Sequence, residues 1–257
     1  MEIYGNMVKV SVIVTVYNLE RYIIETLESI SNQTYKDIEI IVIDDASVDN
    51  SNELIKKYIK KDSRIRFFKN KKNKGKAGSV NFALKKTKGD FIIIFDGDDI
   101  MPEDRIEKQV KFMQENRNIA MSYGNMIKFD EQGREELYSG VKFKEDPLKK
   151  MKRQMNNDRL KTEHTYKILD NEKFIPGTSV MIRKKVFDSG IKMDTKIYAA
   201  SDYDLWLQII GAGFKIKKAP IVGLKYRLHQ NQMSEKRDKN LERTYIFNKL
   251  KSGKYFR

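Results

Sequence analysis

Three carboxylates stand within four positions of this chain, at Asp96, Asp98 and Asp99, and Gly97 separates the first two. Residues 91–95, directly before them, are all apolar, which predicts a buried strand that ends where the carboxylates begin. Carboxylates so close together repel one another, and a divalent cation with oxygen ligands would offset that repulsion. The cluster therefore indicates a cation site. The alternative interpretation is a solvated turn whose Asp side chains cap the next helix.

The elements that position this cluster follow from the hydrophobic pattern. Apolar and β-branched runs predict four buried strands, over residues 8–16, 38–43, 65–68 and 91–95. Helical spacing predicts a helix after each strand, over residues 20–31, 51–60, 77–86 and 102–115. Such strand–helix units imply a parallel sheet with helices on both faces, whose ligands bind at the carboxyl ends of the strands. We therefore expect a second carboxylate pair, Asp44 and Asp45, to converge with the first cluster.

The regular alternation of predicted strands and helices ends near residue 119. The pattern predicts a hairpin of strands 119–129 and 136–141 around a turn at 130–133, and then helix and loop over 142–171. Further elements follow, namely a turn and strand over 174–182, a helix over 201–210, short strands over 214–218 and 223–228, and a helix over 241–250. Trp206 lies among apolar neighbours at helical spacing, which favours a core position over a sugar platform.

Composition limits the classes of protein that fit. The chain has no cysteine, which excludes a disulfide framework, a thiolate nucleophile and a cysteine zinc site. Its start lacks the pattern of a signal peptide, and no apolar run approaches the roughly 20 residues that span a bilayer. We expect a cytoplasmic protein that is soluble or peripheral at the inner face of the cell membrane.

The net charge of +15 favours an anionic partner, which could be nucleic acid, a membrane surface or an acidic substrate. The alternative is a lysine-rich surface that reflects compositional bias. No zinc-finger spacing or RNA-binding strand signature accompanies the charge, so we expect no nucleic-acid partner. A dinucleotide fold is not indicated, because residues 17–20 after the first strand contain no glycine, and the P-loop pattern is absent.

Several ordered motifs together resemble glycosyltransferase family 2. They lie densely over residues 8–115 and more sparsely over 174–232, at 10–18, 29–34, 39–49, 73–78, 89–99, 201–207 and 226–229, with Asn81 in addition. The resemblance implies an α/β GT-A fold with a mostly parallel central sheet and helices on both faces. It also implies a nucleotide-sugar donor, foremost a UDP-sugar, a divalent cation (Mn²⁺ or Mg²⁺), and inverting transfer to a hydroxyl of a glycan or lipid-linked acceptor.

The resemblance assigns the donor site residue by residue. Three residues, Thr15, Tyr17 and Asp45, match the nucleoside pocket. Asp45 is the residue that would form a hydrogen bond with the nucleobase. Asp96 lies where family members contact the ribose or sugar, and Asp98 matches the carboxylate that ligates the metal.

The resemblance also assigns a base and a second metal ligand. Asp202 matches the catalytic base, although many relatives have Glu where this chain has Ser201. Asp202 begins a helix, so its alternative role is that of a cap. His229 matches the position that completes the metal site, and imidazole suits manganese better than magnesium. Its alternative is an exposed loop histidine. Lys74, Lys76 and Arg227 fit diphosphate contacts or a solvated basic surface equally well.

The predicted domain organisation follows. We expect one catalytic domain over residues 1–233, with a nucleotide-binding half (1–115) and an acceptor-binding half (116–233), and a basic tail over 234–257. Basic residues interleaved with aromatics in the tail suit an anionic membrane surface, and a helix packed on the domain is the alternative. The competing functions are a sugar-nucleotide nucleotidyltransferase and a non-enzymatic basic module that binds nucleic acid or membranes.

Overall fold

The computed structural model describes residues 8–138, 175–230 and 239–255 of the chain. The predicted helix and loop over residues 142–171 lie outside these residues, as do the last positions of the predicted strand 136–141. The described chain forms one eight-stranded sheet with helices packed on both faces, so the predicted α/β architecture is confirmed.

The first half of the sheet is parallel, as predicted. Its order is β3-β2-β1-β4, with β1 at Val10–Val16, β2 at Ile38–Asp44, β3 at Ile65–Lys69 and β4 at Phe91–Asp96. The connecting helices are α1 (Ile23–Ser31), α2 (Ser51–Tyr58), α3 (Gly75–Leu84) and α4 (Arg105–Glu115). Val16 pairs with Asp44 and Thr15 pairs with Asp96, so strands one, two and four end at the same edge.

Three helix starts differ from the predictions. Helix α1 begins at Ile23 and α4 at Arg105, and Pro102 lies in the turn before α4, where its carbonyl accepts the Arg105 N–H at 3.0 Å. Helix α3 begins two residues earlier than predicted, at Gly75. Gly75 has a φ of 70°, a conformation that glycine adopts without steric cost, and this turn leads the chain directly into the helix.

The second half of the sheet is mixed. It contains β5 (Ile119–Phe129), β6 (Glu135–Tyr138), β7 (Val180–Arg183) and β8 (Lys215–Arg227). Strand β7 runs antiparallel between β4 and β5, and β8 runs parallel to β5. Helices α5 (Lys184–Asp188), α6 (Ser201–Gly211) and α7 (Lys239–Lys251) complete this half.

The prediction of two short strands near the end of the chain was wrong. The two predicted segments fall on one continuous strand, β8 (Lys215–Arg227), because register shifts against β5 absorb the irregular residues between them. Pro220 lies at such an irregularity, where a missing N–H is tolerated.

Alternation along the central strands separates two apolar layers. Val12, Val14 and Phe95 pack with α1, α2 and α4 on one face, whereas Ile13 and Ile94 pack with α3 and α6 on the other. Trp206 is buried in the second layer, which confirms the predicted core position. Both faces are covered, so the free edge formed by the strand ends is the part of this sheet that can receive a ligand.

The tail helix α7 packs against the domain. Its buried residues Ile246 and Leu250, together with Tyr255, contact Ile197, Leu207 and Ile210. These side chains are therefore not on a free apolar face, and the predicted membrane contact of the tail stays a prediction. Among the described residues, no helix combines the length and the apolar character that crossing a bilayer requires.

Gly97 allows β4 to turn closely against the end of β1. Its N–H donates to the Thr15 carbonyl at 3.0 Å, and a Cβ at this position would lie 2.9 Å from that same oxygen. We expect Gly97→Ala to lower the free energy of unfolding by about 1–3 kcal/mol, as overpacking does. Urea unfolding measures this, with Val48→Ala, at an 87% exposed position, as a control that should be neutral. Equal stability of Gly97→Ala and wild type would contradict the close approach.

Candidate active site

The edge formed by the ends of β1, β2 and β4 carries the predicted carboxylates. Asp96 ends β4, and its Oδ1 accepts a hydrogen bond from the Thr15 hydroxyl at 3.3 Å. The Asp45 N–H donates to the Val16 carbonyl at 2.8 Å, which places Asp45 beside the end of β1. The predicted convergence at this edge is therefore present for Asp45 and Asp96, and the prediction that Asp44 joins them was wrong, because its carboxylate is fully buried against Ser47 and Asn52.

A buried lysine holds the centre of the site. Lys76, the second residue of α3, lies 2.8 Å from Asp96 Oδ1 and 3.1 Å from Asp202 Oδ2, and its side chain is 6% exposed. Burial by itself lowers the pKa of Lys76, but Asp202 and Asp96 outweigh burial and raise it, so the ammonium stays charged. Lys76 therefore joins Asp96 to Asp202, the two residues that the resemblance assigned to the donor and to the base.

The Asp202 carboxylate is also packed closely from the opposite direction. A short 3₁₀ turn, Gly177–Ser179, precedes β7, and its first residue lies against the Asp202 carboxylate. A Cβ on Gly177 would lie 2.3 Å from Asp202 Oδ2, so a side chain at position 177 would require this carboxylate to move. Asp202 itself is the second residue of α6, where backbone N–H groups favour a negative charge.

Asp98 and His229 meet at the outer side of the site. His229 Nε2 lies 3.1 Å from Asp98 Oδ2, and the imidazole stacks on the Tyr22 ring with centroids 4.5 Å apart. The His229 side chain is only 2% exposed, so the alternative of an exposed loop histidine is wrong. Arg227 Nε donates to the Asp98 carbonyl at 2.9 Å and so fixes the loop that follows β4.

One carboxylate and one imidazole fit a divalent cation that takes its remaining ligands from substrate. The described residues contain no group of three or more His, Cys, Asp or Glu side chains placed to hold a metal by themselves. Cations that act on nucleotides are often held by one or two side chains together with phosphate oxygens and water. The pair Asp98 and His229 matches that pattern.

Asp99 holds the loop together. Its carboxylate accepts hydrogen bonds from Thr178 Oγ1 at 3.2 Å and from the Arg227 N–H at 3.1 Å. Burial raises the pKa of Asp99 well above its usual range, and Asp98 and Asp96 add to the effect. The buried guanidinium of Arg105 acts against this rise as a nearby counter-charge. Asp99 thus ties the carboxylate loop to β8 and to the 3₁₀ turn.

The remaining residues to describe are Asp45 and Tyr17, which the resemblance assigned to a nucleoside pocket, and Asp44. The Asp45 carboxylate accepts hydrogen bonds from Asn70 Nδ2 at 2.7 Å and from the Lys74 N–H at 2.9 Å. Tyr17 is 43% exposed at the rim. Asp44 is fully buried and accepts from the Ser47 N–H and from Asn52 Nδ2, so it serves the fold and not the site.

Lys76 is the residue whose place the sequence interpretation missed. The alternative of a solvated basic loop is wrong for Lys76, because α3 begins before it and turns its side chain inward. The signal was the helical spacing of Lys76 with Val80 and Ala83, which puts all three on the buried face of one helix. Arg227 also binds other groups of the protein: its guanidinium donates to the Asp98 carbonyl and to the Glu25 carboxylate.

The profile of glycosyl transferase family 2 matches residues 11–190 and so spans the site up to the strand after Gly177. The chain belongs to glycosyltransferase family 2. This glycosyltransferase is 35% identical over 221 residues to an uncharacterised glycosyltransferase of Methanocaldococcus jannaschii, covering 85% of this chain and 70% of that protein. It is also 34% identical over 235 residues to WfaP of Escherichia coli, named as a UDP-Glc:alpha-D-GlcNAc-diphosphoundecaprenol beta-1,3-glucosyltransferase, covering 91% and 83%.

Solved structures show the same fold. Residues 1–349 of S. aureus TarS, in complex with UDP-GlcNAc, superpose with a TM-score of 0.70 at 21% identity, covering 95% of this glycosyltransferase and 66% of that chain. A mannosyltransferase of Pyrobaculum calidifontis, in complex with GDP-Man and Mn²⁺, gives 0.64 at 19% identity, covering 87% and 58%. The fold is GT-A, as the motifs implied. This glycosyltransferase spans about two thirds or less of the length of both solved structures.

The position of Lys76 predicts a measurable loss of stability when its charge is removed. We expect Lys76→Met to lower the free energy of unfolding by about 1–3 kcal/mol, because it leaves Asp96 and Asp202, whose side chains are 31% and 27% exposed, without their counter-charge. Chemical unfolding at neutral pH measures this. Lys72→Met, which removes the same charge from an exposed position of the preceding loop, is the matched control and should be neutral. A loss no larger than that of Lys72→Met would show that the carboxylates do not depend on Lys76.

Proposed function

We propose that this protein is an inverting glycosyltransferase that moves a sugar from a UDP-sugar to a hydroxyl of a glycan or lipid-linked acceptor. The observation that carries the proposal is the ion cluster in which Lys76 joins Asp96 to Asp202. It places a carboxylate suited to act as base beside the carboxylates suited to bind the donor. The family and the fold support the reaction class.

Asp202 supplies the base in this proposal. Its carboxylate takes the proton of the acceptor hydroxyl while the hydroxyl oxygen forms a bond to the anomeric carbon. The bond from that carbon to the diphosphate oxygen breaks, and the electron pair leaves with the nucleoside diphosphate. Attack from the side opposite to the leaving group inverts the configuration. Lys76 and Gly177 hold the Asp202 carboxylate in one place, so the base needs no rearrangement when the acceptor arrives.

The donor-binding residues follow the edge of the sheet. Thr15, Tyr17 and Asp45 would contact the nucleoside, and Asp96 the ribose or sugar. Asp98 and His229 would hold Mn²⁺ or Mg²⁺, which supplies positive charge for the negative charge that develops on the leaving diphosphate. The hydrogen bonds from Asn70 and Lys74 fix the Asp45 carboxylate at the rim, where the nucleobase would lie.

The choice of donor and acceptor rests on relatives. WfaP is named for UDP-Glc and for an acceptor linked to diphosphoundecaprenol, and TarS was solved with UDP-GlcNAc. We therefore favour a UDP-sugar and a lipid-linked acceptor, which would bring the enzyme to the inner face of the membrane. Contact there would use exposed basic residues of the tail such as Lys254, since its apolar residues face the domain.

The donor is tested first, with UDP-Glc, UDP-GlcNAc and GDP-Man in a thermal-shift panel that includes Mn²⁺. A donor at 100 times its dissociation constant should stabilise the protein by about 2.7 kcal/mol. No stabilisation by either UDP-sugar, with a clear effect of GDP-Man, would overturn the proposed donor.

Asp98→Ala tests the metal ligand. We expect it to abolish the Mn²⁺-dependent part of donor binding, because the carboxylate that would hold the cation is gone, while the fold stays intact. Calorimetry with and without Mn²⁺ measures this, and Glu103→Ala, an exposed acid in the same loop region, is the matched control. Unchanged Mn²⁺-dependent affinity in Asp98→Ala would remove Asp98 from the metal site.

Asp202→Asn tests the base. The amide keeps the shape and can still accept from Lys76, so donor affinity should persist while sugar transfer falls by about 10² or more. Asp188→Asn, which removes an exposed carboxylate on α5, should transfer at the wild-type rate. Wild-type turnover by Asp202→Asn would leave Asp202 as a helix cap and overturn the proposed mechanism.

A further inference from the structure

The helix that carries Asp202 begins without a capping side chain of its own. Ala200 precedes α6, and its methyl side chain cannot accept a hydrogen bond. A carboxylate near the start of a helix matches the helix dipole. A carboxylate from far along the chain lies at this end of α6 and binds the three residues that precede the helix.

Glu242, on the tail helix α7, supplies that carboxylate. Its Oε1 accepts the Tyr198 N–H at 2.8 Å, and its Oε2 accepts the Ala199 and Ala200 N–H groups at 2.8 and 3.0 Å. Three consecutive backbone N–H groups thus converge on one carboxylate immediately before Ser201 and Asp202. We propose that Glu242 is a positioning residue for the base Asp202, an inference that rests on the proposed function.

The segment that Glu242 holds lies directly against the helix that carries Lys76. A Cβ on Gly75 would lie 3.6 Å from Tyr198 Cδ2, so residue 198 packs on the first turn of α3. Four residues later, Asp202 meets Lys76 at 3.1 Å. Movement of residues 198–200 would therefore change the distance between Asp202 and Lys76 and the direction in which the carboxylate points.

The position of Glu242 is set independently of its own hydrogen bonds. Lys249 donates to Asp194 at 3.0 Å and to the buried carboxylate of Asp204 at 2.5 Å, and the Tyr255 hydroxyl also donates to Asp204. Ile246 and Leu250 are buried in one cluster with Leu207 and Ile210 of α6. The far end of α7 is thus anchored to α6 itself, and the two helices form one unit.

A carboxylate suits this position better than any other side chain. It only accepts hydrogen bonds and has two oxygens with about four lone-pair sites, enough for three N–H donors. An amide of the same shape would direct its own NH₂ group at one or two of these donors. Glu242→Gln is therefore the mildest change that removes the interaction.

The first test compares Glu242→Gln with Tyr245→Phe on the same helix. Tyr245→Phe removes the hydroxyl that donates to Asp194 at 3.1 Å and leaves residues 198–200 untouched. Release of UDP from UDP-Glc or UDP-GlcNAc with Mn²⁺ is measured, using whichever donor the wild type hydrolyses. We expect Glu242→Gln to lower kcat about tenfold with an unchanged KM for the donor. Tyr245→Phe should keep the wild-type kcat even where it lowers Tm equally.

The second test asks whether Glu242 acts through Asp202. Adding Glu242→Gln to Asp202→Asn should cause no further loss of kcat, because the group that Glu242 positions is already inactive. The same tenfold loss in both backgrounds, or a wild-type kcat for Glu242→Gln alone, would overturn the inference and leave the proposed function in place. A wild-type kcat for Asp202→Asn alone would instead overturn the proposed base, and the inference with it.

Discussion

The site depends on one buried ammonium group. The carboxylates of Asp45, Asp96, Asp98 and Asp202 lie at or beside one edge of the sheet, and leaving such charges uncompensated away from water would be costly. Lys76 offsets part of that cost by pairing with Asp96 and Asp202 at the same time. Everything that brings Lys76 to this point, from the glycine at the start of α3 to the parallel strands beneath it, is therefore part of the site.

The same constraint explains why the two helices on this face begin where they do. Lys76 and Asp202 are each the second residue of a helix, and both helices point their first turns at the strand ends. The side chains thus approach from backbone that other bonds already hold. An ion pair between rigid positions loses less conformational entropy than one between mobile loops, so its charges stay in a fixed arrangement.

The sequence predicts much of this arrangement, and the limits are physical. Alternating strands and helices place Asp45, Asp96 and Asp98 at one edge, because parallel strands end together. The spacing of residues does not decide whether the Lys76 ammonium group is buried or solvated, since long cationic side chains often lie along apolar surfaces with their charge in water. The contact between Glu242 and residues 198–200 depends on how two distant helices dock, and no local pattern encodes that.

The contacts that complete the site join residues that are far apart along the chain. Lys76 meets Asp202 across 126 positions, and Asp98 meets His229 across 131. Pairings of such high contact order form slowly, because the loop between them must close first. A growing chain that has emerged only through residue 99 would contain the ends of β1, β2 and β4 with Asp45, Asp96 and Asp98, yet neither Asp202 nor His229. The portion of the protein with the densest family motifs acquires these two contacts only when the sparser motifs of residues 174–232 have folded against it.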